Sequence, residues 1–174
     1  MSTTATLRDR CLAVELLVLD VDGVLTDGGI VLGGGLELKQ FHVRDGSGLK
    51  AWRDSGQRSA VVTGRRSAAV ELRAAELGIE FVVQGASDKL AAYRDICERA
   101  KVAAAAVCAV GDDLPDVPLL KVSGLAVAVA DACPQAGAAA HYITRAPGGR
   151  GAVREVIELI LRCQGRWPSS AGVR

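Results

Sequence analysis

An apolar run that ends abruptly in two carboxylates, Leu16-Leu17-Val18-Leu19-Asp20-Val21-Asp22-Gly23, constrains this chain more than any other feature. Four consecutive apolar residues are what a buried strand needs. Side-chain direction along a strand repeats every second residue, so Asp20 and Asp22 leave it pointing the same way. Like charges that close repel unless a cation or a proton separates them. Gly23 then turns the chain. The pair reads as half of a metal and phosphoryl site.

Beyond it, strand-like runs alternate with helix-like stretches. Gly28 to Val43 reads as a flap hairpin of two short strands around Gly33-Gly34-Gly35. A helix is expected at about Gly48 to Ser55, a strand at Arg58 to Thr63, and a helix from an N-cap at Ser67 to Leu77, with Gly78 just past its end. Phe81-Val82-Val83 reads as a strand, Ser87 as the cap of a helix to about Ala100, and Ala104 to Val110 as a buried strand entering Gly111-Asp112-Asp113. A helix near Pro115 to Val122, a strand at Leu125 to Ala130 and a short helix after Pro134 follow. A strand near Tyr142 to Thr144 and a helix from Arg150 to Cys163 precede a polar tail from about residue 164. The alternation predicts one α/β domain: a doubly wound parallel sheet with helices on both faces. Ligands of such sheets sit beyond the carboxyl ends of the strands. Asp20/Asp22, Thr63-Gly64-Arg65 and Asp112/Asp113 all fall there.

Composition narrows the function classes. At 174 residues the chain suits a single domain with a real core. A net charge of +1 and 3% aromatic residues offer little to nucleic acid or an anionic membrane. The five cysteines lack C-x-x-C spacing and read as free thiols in a reducing compartment. The longest apolar run, Val102 to Val110, is too short to cross a bilayer, and MSTTATLRDR holds no apolar signal core. A soluble, cytoplasmic protein is expected.

The polar clusters suggest their own chemistry. Asp20 is the candidate nucleophile, since a carboxylate can attack phosphorus and form an acyl phosphate. Asp22 is the candidate general acid and base, although Asp-Gly is also a common turn. Asp112, with Asp20, offers the hard oxygen ligands that suit Mg²⁺; Gly-Asp-Asp alone would equally start a helix. Lys89 follows a helix start, where a cation opposes the dipole unless a phosphate is bound between them. Taken alone it reads as a solvated surface lysine. Thr63 offers a hydroxyl to a phosphate, with Gly64 and Arg65 beside it.

The order DVDG, TGR, isolated lysine, GDD-x-x-D resembles the four motifs of the haloacid dehalogenase superfamily of aspartate-nucleophile phosphatases. The stretches DVDGVLTDGGI, FHVRDGSGLK, VQGASDKL, GDDLPDVPLL and HYITRAPGGRGAVREV are similar to the 3-deoxy-D-manno-octulosonate 8-phosphate phosphatase family, from about Leu16 to Cys163. The resemblance implies a cytosolic, Mg²⁺-dependent, homotetrameric phosphatase of lipopolysaccharide sugar synthesis. It also implies roles by position. Asp20 would be nucleophile and metal ligand, Asp22 acid and base with its backbone carbonyl on the metal, and Asp112 the second carboxylate ligand. Thr63, Gly64 and Lys89 would bind phosphate. Contacts to the sugar acid would come from the segment carrying Arg44, Asp45 and Gly46, and from Lys50, Arg65 and Arg73. Lys50 stands where arginine is expected and His42 where asparagine is common; a lysine gives a point charge rather than a planar fork.

Only 22 residues lie between Asp22 and Asp45, enough for a flap but not for a cap domain. A phosphoryl site must exclude water, so neighbouring subunits are expected to close its mouth and cover the hairpin edges. Arg44 and the Gly148-Gly149-Arg150-Gly151 loop are expected to cross subunit boundaries, though that loop reads equally well as a helix entry. Three rival readings fit parts of the same pattern. One is a phosphatase of nine-carbon keto-acid phosphates. Another is a phosphorelay receiver, whose motifs should come in a different order. The third is a degenerate regulatory domain, against which the retained Asp20, Asp22, Lys89 and Asp112 argue.

Overall fold

The computed structural model describes residues 5–167. The polar tail expected from about residue 164 lies, from residue 168 onward, outside the described residues. Six parallel strands form one sheet in the order β5-β4-β1-β6-β7-β8: β1 Leu16–Leu19, β4 Arg58–Thr63, β5 Phe81–Gln84, β6 Val107–Gly111, β7 Leu125–Ala128 and β8 Tyr142–Ile143. β2 (Val31–Gly33) and β3 (Leu36–Leu38) pair antiparallel as the separate flap. The doubly wound α/β sheet with a hairpin flap is the expected architecture.

The fully buried strand β1 explains the two-layered core. Leu17 and Leu19 face one side, under α1 (Leu7–Ala13), α2 (Val43–Asp54), α3 (Ala68–Leu77) and α7 (Ala152–Cys163). Leu16 and Val18 face the other, under α4 (Lys89–Ala100), α5 (Val117–Val122) and α6 (Pro134–Ala139). Helix α7 shows how sequence selects its face. Val153, Val156, Ile157, Ile160 and Leu161 recur at helical spacing and are all fully buried.

Several boundaries differ from expectation, each for a local reason. Helix α2 starts at Val43 rather than Gly48, so Arg44, Asp45 and Gly46 occupy its first turn instead of a loop. Its glycines mark close packing: a Cβ on Gly48 would sit 3.2 Å from the α-carbon of Arg154 in α7. Asp88, not Ser87, caps α4, its carboxylate accepting from the Ala91 N–H at 3.0 Å. Ala104–Ala106 forms a 3₁₀ turn before β6 rather than the strand's first residues. Helix α1 was not expected. Its signal was the capping box Thr6-x-x-Asp9, in which each side chain bonds the other residue's backbone N–H.

Candidate active site

The central strands β4, β1 and β6 lie side by side, with Leu19 level with Val61 and Val110, so the residues just past their ends share one rim. A cavity of about 700 Å³ opens there, lined by Asp20, Asp22, Thr63, Gly64, Lys89 and Asp112 among others. Thus the three strand-end clusters do converge. Asp20 is 7% exposed. The turn after it is shaped by the Val21 carbonyl, which accepts from Val24, Leu25 and Thr26 at 3.2, 2.9 and 2.9 Å. Gly23 within that turn has φ +98°, and a Cβ there would overlap the Asp112 carboxylate. Glycine is therefore what lets the loops after β1 and β6 meet.

Lys89, the first residue of α4, bridges two acids. Its Nζ lies 2.7 Å from Asp20 Oδ1 and 2.7 Å from Asp116 Oδ1. Burial alone would lower its pKa, but the two carboxylates hold it above the ordinary lysine value. Asp116 was not singled out in the sequence, although it is the last acid of GDD-x-x-D. It is 1% exposed, and its Oδ2 accepts from the N–H groups of Asp112 and Asp113 at 3.1 and 3.3 Å. One carboxylate thus fixes the loop and balances the lysine. Thr63 is buried, and its hydroxyl accepts from the Arg65 N–H at 3.3 Å.

The acids fit a divalent cation. Single oxygens of Asp20, Asp112 and Asp116 lie within 4.8 Å of one another. Asp112 Oδ1 is buried without a hydrogen-bond partner, whereas both oxygens of Asp116 are already engaged. Asp20 and Asp112 are accordingly the better ligands. Burial first, then the neighbouring acids, push the Asp112 carboxyl up to about 8 and that of Asp20 to about 6, with Lys89 pulling both back. A cluster that resists ionisation so strongly is one that a cation would relieve. The Asp22 carboxylate stands apart from the cluster. It turns to Lys39, just past β3, and is not one of the clustered acids.

The expected sugar-acid residues divide. Arg65 lines the cavity, pairing with Glu37 of the flap at 2.5 Å. Arg44, Asp45, Gly46, Lys50 and Arg73 do not line it. Asp45, 2% exposed, instead caps α7: its carboxylate accepts from the N–H groups of Arg154 at 2.7 Å and Gly151 at 3.2 Å. Asp45, expected to contact substrate, serves the backbone of α7 in the single chain, and Gly46 makes room for the Arg73 guanidinium. Arg73 lies 5.8 Å over Phe41 and donates to Glu76 at 2.7 Å. Arg44 and Lys50 are exposed, Arg44 beside a second cavity with Arg145 and Arg150. The glycine-rich loop enters α7 with Gly148 and Gly149 seated on the turn after Asp22, the Gly149 N–H donating to Val24 O at 2.9 Å.

Residues 79–157 match a family model described as haloacid dehalogenase-like hydrolase. Over 160 residues the chain is 49% identical to 3-deoxy-D-manno-octulosonate 8-phosphate phosphatase from Escherichia coli, covering 91% of this chain and 85% of that one. The chain belongs to the 3-deoxy-D-manno-octulosonate 8-phosphate phosphatase family. A crystal structure of the phosphatase from Moraxella catarrhalis, in complex with magnesium ion, phosphate ion and KDO, aligns at TM-score 0.90 and 42% identity over 92% of each chain. The cobalt-bound phosphatase from Haemophilus influenzae aligns at TM-score 0.90 and 36% identity, over 94% of this chain and 98% of that one. Membership makes this chain a phosphoric monoester hydrolase of the haloacid dehalogenase type.

Proposed function

We propose that the chain hydrolyses 3-deoxy-D-manno-octulosonate 8-phosphate to the free sugar acid and phosphate, with Mg²⁺, in cytoplasmic lipopolysaccharide precursor synthesis. The observation that carries this reading is the Lys89 ammonium 2.7 Å from Asp20 in the cavity shared with Asp22, Thr63 and Asp112. Asp20 attacks phosphorus while the bond from phosphorus to the sugar oxygen breaks, leaving an aspartyl phosphate. Asp22 gives a proton to the departing oxygen, then takes one from the water that cleaves the acyl phosphate. Lys89, the Thr63 hydroxyl and the Gly64 backbone receive the phosphoryl oxygens. Asp20, Asp112 and the Asp22 carbonyl would hold Mg²⁺, which when bound offsets phosphoryl charge.

Arg65 is the cavity's candidate for the sugar carboxylate. Arg44, Lys50 and Arg73 take that role only if a second subunit brings them to a neighbouring cavity, which is consistent with a homotetramer. Ile30, Val31, Leu32 and Leu38 of the flap are 53%, 56%, 73% and 57% exposed in the single chain and would be covered there. Among the described residues no helix is long and apolar enough to cross a membrane. Phosphate release from a panel of sugar phosphates, with and without Mg²⁺, tests the whole reading. The eight-carbon keto-acid ester should be fastest, and only with the metal; a faster nine-carbon ester would reassign the substrate.

A further inference from the structure

Ile30, Val31, Leu32 and Leu38 of the flap are each more than half exposed and give it little apolar purchase on the body. Its described attachment is ionic. Lys39 carries a side chain only 1% exposed, with its ammonium against Asp22 Oδ1 and 3.2 Å from Glu37 Oε1. The other oxygen of Glu37 accepts from Arg65 at 2.5 Å, and Arg65 Nε stands 4.0 Å from Asp22 Oδ2. Two cations and two carboxylates thus close a neutral ring between the flap, the turn after β1 and the loop after β4. A tether alone would not need a buried ammonium, whose desolvation is costly unless its geometry is matched.

Lys39 holds one oxygen of Asp22 and leaves Oδ2 buried without a hydrogen-bond partner. We propose that Lys39 is a positioning residue, which orients the acid–base carboxylate and makes that orientation depend on the seating of the flap. The proposal rests on the phosphatase reading, in which Asp22 serves the leaving oxygen. Misplacing Asp22 then penalises leaving groups that need a proton and spares those that depart as stable anions. Charge balance or simple folding support would penalise both alike.

The test compares Lys39→Met with the unaltered protein on a sugar phosphate and on p-nitrophenyl phosphate, both with Mg²⁺. The sugar-phosphate rate should fall about tenfold or more, while the single-turnover burst of nitrophenolate stays within about threefold. Equal losses on the two esters, or no loss on the sugar phosphate, overturn the proposal. Lys39→Arg keeps the charge should the methionine variant fail to fold. Its ratio of sugar-phosphate rate to nitrophenolate burst should still fall, by about threefold or more, and an unaltered ratio overturns the proposal. An unaltered protein inert on both esters would instead defeat the phosphatase reading on which this rests.

Discussion

Asp20 is crowded by Lys89, Asp116 and Asp112, so single atoms decide what it can do. Asp20→Asn keeps the shape and removes the proposed nucleophile. Phosphate release should drop more than about a thousandfold with the unfolding midpoint held, and persistent turnover would assign the attack elsewhere. Gly23→Ala should cost Mg²⁺ affinity in calorimetry, because its Cβ must displace the Asp112 carboxylate. The metal-free cluster also sets a pH dependence. The Asp112 carboxyl is raised to about 8 in the fold, well above its unfolded value near 4, so the folded state holds its proton longer. Metal-free stability should therefore decline as pH rises from about 4 to about 8, and Mg²⁺ should offset the decline. Thermal melts of Asp112→Asn, expected to show a flatter profile, check the assignment. At this scale Asp20, Asp22, Thr63 and Asp112 were legible as candidates because each lies at the end of a strand, and Lys89 only through its order after the other motifs. Asp116 was not, since its partners become neighbours only when the loop folds.

Among elements, α2 and α7 show why some residues stayed illegible. Asp45 lies in a polar, glycine-rich stretch that suggests a ligand loop. Yet its two oxygens serve the backbone of a helix more than a hundred positions away, between Gly151 and Arg154. Helix-breaking glycines at Gly46 and Gly48 likewise hid the first turns of α2, because the space they save is occupied by Arg73 and Arg154. Asp45→Ala strands two N–H groups at a buried helix entry. A loss of about 1–3 kcal/mol in chemical denaturation is expected. Strand positions were easier to read, since a parallel strand covered on both sides needs an uninterrupted apolar run, as in Leu16–Leu19.

For the whole molecule, the order of strands places Asp20, Thr63 and Asp112 on one rim and leaves Ile30, Val31, Leu32 and Leu38 of the flap uncovered. If subunits share that surface, specific activity should fall on dilution in step with the sedimenting mass. Constant activity from a monomer would remove the shared-site reading. The alternation of strands and helices announced this architecture, but no periodicity in one chain encodes what meets its exposed face.

The bed under the nucleophile turn is supplied late. Gly148 and Gly149 lie directly on the backbone between Gly23 and Asp27, so any side chain at either glycine would collide with it. A growing polypeptide that has made its sheet as far as β7 already owns all of its reactive carboxylates, yet the first of them still lacks its backing. Competence should arrive only once the segment that opens α7 has docked.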